Sequence, residues 1–202
     1  ASGFLFRADR SRDHSKWHQD FILHLASVVR PKVYVELGVF QCGLFNRMAP
    51  LVERAIAVDS SPEAGRHMRR SPQASFFAGT TAEFARHLAR HPVAIDLLFI
   101  DADHSREAVA ADFEAFFPFV RPHGLILLHD THPQDRAATA PRRCGDGYRA
   151  VEALSREAAR YEMMTLPVHP GLTLCRKRAA QLAWQEPAVQ ADGKRGAASV
   201  AV

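Results

Sequence analysis

Short, nearly unbroken apolar runs alternate along the chain with stretches whose apolar residues recur every third or fourth position. The runs are Val33 to Leu37, Ala55 to Asp59, Ala74 to Phe77, Ile95 to Asp101 and Leu125 to His129. They lack strict in-out alternation, as expected of parallel strands covered on both faces. Between them the spacing predicts helices at Leu44 to Glu53, Pro62 to Arg70, Thr81 to Arg90 and Ser105 to Phe117. Asp13 to Val29 precedes the first strand as a helix, with Trp17, Phe21, Leu25 and Val28 on one face. Ser61 and Ser105 stand where N-caps belong, Pro62 suits a first helical turn, and Pro118 helps to stop the fourth helix. Strand–helix alternation of this kind predicts an α/β fold, a parallel sheet with helices on both faces.

The last part of the pattern differs. Tyr148 to Arg160 reads as a helix, followed by strands at Tyr161 to Leu166 and Leu172 to Arg176. Pro167 to Gly171 is too short a connection for a parallel pair, so these two strands must form an antiparallel hairpin. Residues 1–178 are therefore expected to form one domain, with 1–30 as its helical N-terminal segment. The Ala-, Gln- and Gly-rich stretch 179–202 is expected to be a tail outside the site.

The composition narrows the function classes. A chain of 202 residues, 47% hydrophobic and 24% charged, has enough apolar material for one buried core. No apolar run approaches the ~18 residues of a membrane span, and Ala1 to Arg12 holds no apolar signal core. Three cysteines, Cys42, Cys144 and Cys175, with no C-x-x-C pair, argue against a disulfide scaffold and fit a reducing cytoplasm. The net charge of +4 comes mostly from scattered arginines and not from one basic element with stacking aromatics. A small molecule is therefore the expected partner, with neither nucleic acid nor membrane.

Candidate chemistry lies just past each strand, because ligands of an open α/β sheet bind outside the carboxyl ends of the strands. After the first comes Glu36-Leu-Gly38-Val-Phe-Gln-Cys-Gly43, where glycines allow a tight turn and a close backbone approach. After the second, Asp59-Ser60 places a carboxylate where ribose hydroxyls are often held. After the third, Gly79-Thr80-Thr81 offers a hydroxyl either to an adenine edge or to the following helix as a cap. The densest signal follows the fourth and fifth strands: Asp101-Ala-Asp103-His104 and His129-Asp130-Thr131-His132. Carboxylates gathered in one cleft repel unless a cation or proton is shared, and an oxygen-rich set with imidazole suits Mg²⁺ or Mn²⁺.

These residues resemble a class I S-adenosylmethionine-dependent methyltransferase over roughly Trp17 to Lys177. Val35 to Gly43 is similar to that family's glycine loop. Ile95 to Val109 and Arg121 to Thr131 resemble the small bacterial "methyltransferase 24" group and the metal-dependent O-methyltransferases of catechols and natural-product sugars. The resemblance implies a Rossmann-like, mostly parallel seven-stranded sheet closed by the hairpin that ends at Lys177. It implies a cofactor site of Glu36, Gly38, Gly43, Asp59, Ser60, Gly79, Thr81 and Asp101, with Thr80 standing where relatives often carry an acid. It implies a metal set of Asp101, Asp130 and His129. That set departs from the family, which has Asn at the position of Thr131 or a second Asp at that of His129, so metal dependence stays open. Catechol-type relatives also carry Lys where this chain has His104.

The reading that follows is O-methylation of a small hydroxylated metabolite, a sugar or a phenol. Asp103, His104 and His129 are the candidates to take the acceptor proton. Two rivals are a nicotinamide-dependent oxidoreductase and a non-catalytic cofactor-binding scaffold on the same fold. The oxidoreductase is disfavoured because Glu36-x-Gly38-x4-Gly43 is not G-x-G-x-x-G. Thr131 to Asp146 is polar, with turn formers at both ends, and is expected to be a lid. The short chain leaves little material for a cap, which points to a homodimer completing the pocket.

Overall fold

A computed structural model describes residues 16–157 and 159–178; the expectations for 1–15 and for the 179–202 tail lie outside these residues. The elements run α1 (Trp17–Val29), β1 (Val33–Leu37), α2 (Phe45–Met48), β2 (Arg54–Asp59), β3 (Ala74–Ala78), α3 (Thr81–Arg90), β4 (Ile95–Ile100), α4 (Arg106–Phe116), β5 (Val120–His129), α5 (Tyr148–Leu154), β6 (Tyr161–Leu166) and β7 (Leu172–Lys177). The seven strands form one sheet in the order β3-β2-β1-β4-β5-β7-β6. β1 to β5 are mutually parallel, and β7 enters antiparallel between β5 and β6. The expected hairpin is present, and its return strand sits inside the sheet.

The burial of each strand follows its sequence. β1 and β4 lie in the middle and are buried almost throughout, whereas edge strand β3 is half-buried along its length. The sheet separates two apolar layers. One joins Phe84, Phe113, Phe116, Val151 and Leu154 of α3, α4 and α5 to Val35, Leu98 and Ile126. The other joins Ile22, Ala26, Phe45 and Met48 of α1 and α2 to Tyr34, Leu97 and Leu127. Truncating one of the fully buried phenylalanines would cost about 3–5 kcal/mol, because the cavity adds to the lost transfer energy.

Several expected elements are shorter or longer in the structure. Helix 44–53 stops at Met48 and continues as a 3-10 turn over Ala49–Leu51, because Pro50 has no N–H to extend the α ladder. Pro62 to His67 is a 3-10 segment, and the Ser61 side chain makes no cap bond. α5 ends at Leu154 and not at Arg160. β5 begins at Val120, because its register against β4 shifts between Ile95 and Leu97 and admits the polar Arg121 to His123. Ser105 does cap α4, accepting from Ala108 N at 3.3 Å. No helix among the described residues is long and apolar enough to cross a membrane.

Candidate active site

The strand order reverses between β1 and β4, the switch point at which open α/β sheets leave a crevice. The strand tips around it are knitted by backbone bonds: Gly38 N to Val58 O (2.8 Å), Gly79 N to Asp59 O (2.9 Å) and Asp101 N to Leu37 O (2.9 Å). A cavity of about 1000 Å³ opens there; its walls include Gly38, Asp59, Gly79, Asp101, His104 and Arg142. Ser60, Thr81 and Asp103 also line it.

The β1–β3 half of the crevice is built largely from main chain. Gly38 has φ +82°, and a Cβ there would run into the Asp101 carbonyl oxygen, so only glycine fits. Gly43 has open space around it. The turn is made instead by Phe40 (φ 45°) and Cys42 (φ 54°). The Asp59 carboxylate fixes this turn, accepting from Phe40 N (2.9 Å) and Ser61 N (2.9 Å), with lone pairs left for further donors. Thr80 is the N-cap of α3 in a reciprocal capping box with Glu83. Glu36 lies beneath the crevice floor, 3% exposed, and accepts from the Tyr34 hydroxyl at 2.6 Å. Burial pushes its carboxyl pKa up to about 8.

The β4–β5 half is a network of ionisable side chains. Asp130 has a left-handed backbone (φ 56°) and is 7% exposed. His104 Nδ1 lies 2.7 Å from Asp130 Oδ2 and 2.9 Å from the Arg143 carbonyl oxygen, while its Nε2 is 3.4 Å from Asp101 Oδ1. Both ring nitrogens thus face only acceptors, which calls for an imidazolium. Its hydrogen bonds to the Asp101 and Asp130 carboxylates outweigh burial and push its pKa up to about 11. His129 Nδ1 lies 2.8 Å from Asp101 Oδ1. Burial opposes charge on His129, but the Asp101 and Asp130 carboxylates prevail and raise its pKa. Burial alone would raise Asp101; its two imidazole neighbours bring it down to about 2. Asp103 accepts from Ser105 N at 2.8 Å, which lowers its pKa and ties it to the start of α4.

The ligand atoms of Asp101, His104 and Asp130 lie within 4.8 Å of one another, a spacing that a single cation can bridge. His104, not His129, completes this set; the His129 Nε2 is buried and points to no partner. The Thr131 hydroxyl accepts from Thr173 at 2.8 Å, within a chain that continues to Thr165, and so is committed away from the set.

Residues 35–131 match the methyltransferase-domain family "methyltransferase 24". No curated protein matches it significantly in sequence. Among solved structures, an O-methyltransferase from Bacillus cereus in complex with S-adenosylhomocysteine is similar at 18% identity, over 83% of this chain and 84% of that one, with a TM-score of 0.69. The O-methyltransferase TomG from Streptomyces achromogenes, involved in tomaymycin synthesis and bound to S-adenosylmethionine, is 17% identical over 80% of each chain, with a TM-score of 0.61. A methyltransferase of Podospora anserina bound to S-adenosylhomocysteine is 17% identical over 82% of this chain and 80% of that one, with a TM-score of 0.65. These similarities establish the Rossmann-like methyltransferase fold.

The matched segment runs from β1 to Thr131 and so contains all five parallel strand tips. Two contributors lie outside what the sequence motifs flag. His18 of α1 is buried with its ring centroid 4.1 Å from that of His129; burial and the charge on His129 lower its pKa to about 4. Cys144 is buried against Asp130, and burial, with that carboxylate, pushes its thiol up to about 12. Phe40 stands 75% exposed on the cavity wall.

The loop expected to be a lid is anchored here. It contains a 3-10 turn at Ala137–Thr139, buries Ala138 and Cys144, and bonds to His104 through Arg143 O and Gly147 N.

Proposed function

We propose that the protein transfers a methyl group from S-adenosylmethionine to a hydroxyl of a small molecule. The observation that carries this reading is one crevice with two unlike ends, a main-chain cradle at Gly38, Asp59 and Gly79 and a carboxylate–imidazole cluster at Asp101, His104 and Asp130. The cradle fits an adenosyl donor. Gly38 leaves room that any Cβ would fill, and the free lone pairs of Asp59 suit ribose hydroxyls. Ser60, Thr81 and Gly79 line the same wall. The donor supplies an already activated sulfonium methyl, so the protein's task is alignment and control of the acceptor proton.

Because both its nitrogens face acceptors, His104 is assigned as an imidazolium: not the base, but a fixed positive charge beside the acceptor oxygen. Asp101 and Asp130 hold that charge in place. The same three residues fit a divalent cation such as Mg²⁺ or Mn²⁺, whose chemistry would be to lower the pKa of a bound hydroxyl. His104 would have to give up a proton to join it, so imidazolium and metal compete for one carboxylate pair.

The test is isothermal titration with S-adenosylhomocysteine. Micromolar binding is expected, and none at millimolar ligand ends this reading. EDTA added to an active preparation then separates the imidazolium from the metal.

A further inference from the structure

Resting on that reading, we propose that the methyl acceptor carries an oxyanion, a carboxylate or a phosphate, and that Arg142 and Arg143 hold it. The charged groups lining the crevice are Asp59, Asp101, Asp103, His104, Arg142 and Arg143. Asp59 already binds Phe40 N and Ser61 N, Asp103 binds Ser105 N, and Asp101 and His104 belong to the cluster. Asp146, nearby on the same loop, accepts from Arg106 N at 2.8 Å. Neither arginine has an ion-pair partner among the described residues, whereas Arg47, Arg160 and Arg176 each meet a carboxylate. Arg142 and Arg143 are thus the cationic wall residues whose side chains carry no ion pair among the described residues.

Their backbone is also fixed. Arg143 N bonds Ala140 O (2.8 Å), Arg143 O meets His104 Nδ1 (2.9 Å), and Gly147 N bonds His104 O (2.8 Å). Gly145 (φ +60°) abuts the His104 carbonyl so closely that a Cβ would collide with it. The loop therefore carries two exposed arginines of the cavity lining on a backbone bonded to His104. A guanidinium fork matches a carboxylate or phosphate in two parallel hydrogen bonds. The geometry thus selects an acceptor with its hydroxyl at the cluster and an acidic group towards the loop.

The experiment uses the full chain in two stages. First, S-adenosylhomocysteine is titrated into the wild type and into the Arg142→Gln/Arg143→Gln double variant. Binding to the wild type tests the donor site on which the proposed methyl transfer rests; its absence removes that reading and this one together. The double variant should bind the donor product within about two-fold, and a loss of about ten-fold would put the arginines on the donor and overturn the proposal. Second, the product-saturated proteins are titrated with 3,4-dihydroxybenzoate against 3,4-dihydroxybenzamide, and with glycerol 3-phosphate against glycerol. At least one anion should bind the wild type about ten-fold more tightly than its neutral counterpart, and which one does so names the source. That preference should vanish in the double variant and survive in part in Arg142→Lys/Arg143→Lys. No preference in either pair, no binding of any probe at millimolar concentration, or a preference that persists in the Gln variant overturns the proposal.

Discussion

The two ends of the crevice are made differently. Around β1 to β3 the wall is main chain: a glycine without room for a side chain, and backbone N–H groups gripped by Asp59. Around β4 and β5 it is side chain, with two carboxylates and two imidazoles whose charges depend on one another. A main-chain cradle braced by one carboxylate is rigid, which suits the proposed invariant donor. An ionisable cluster can be retuned by one proton or one cation, which suits the end where an acceptor must be ionised.

The strongest way to break this contrast is Gly38→Val. A branched side chain at φ +82° facing the Asp101 carbonyl should abolish S-adenosylhomocysteine binding in calorimetry and cost about 2–4 kcal/mol in denaturant unfolding. Full binding would show that the cradle is not main chain in origin.

A paired comparison comes next. Asp101→Asn should lower kcat about 100-fold with donor affinity nearly unchanged, and Asp59→Asn should weaken donor affinity about ten-fold with kcat at saturation nearly unchanged. Equal effects of both on both constants would erase the division.

Glu36 gives a stability test. Its folded pKa, raised to about 8 by burial, lies above its unfolded value, so the folded state favours the protonated acid. Its contribution is complete below the unfolded pKa and is lost as pH rises through about 8. Glu36→Gln should therefore be more stable than the wild type at pH 9, by about 2 kcal/mol in urea melts, and should show no such gain at pH 4.

A last comparison concerns the metal. Mn²⁺ affinity should rise by about ten-fold per pH unit between pH 6 and 9, because His104 must release one proton, and His104→Gln should flatten that slope. A flat wild-type profile would mean that His104 does not join the metal set.

The sheet was largely legible because its strands are continuous apolar runs, buried on both faces, and the acids at their ends follow directly from strand order. The partners of those acids were less so. Gly43 looks like the turn residue on the page, yet Phe40 and Cys42 take the left-handed conformations, which residue type does not flag. Glu36 reads as a crevice residue, but its side chain is committed to Tyr34 in the core. His18 reaches His129 from α1, and Cys144 reaches Asp130 from a loop, so only tertiary packing reveals either contact. The 3-10 segment at Pro62 to His67 carried good helix-start signals but no apolar stripe to hold a longer helix.

The bare α-carbon at position 38 has one last consequence. With nothing between it and the carbonyl of Asp101, the gap from the proposed nucleoside seat to the acidic cluster is gauged by peptide geometry, not by rotamers. On the proposed reaction, substitutions that reshape the outer rim would alter which acceptors are admitted without changing the reach of the methyl.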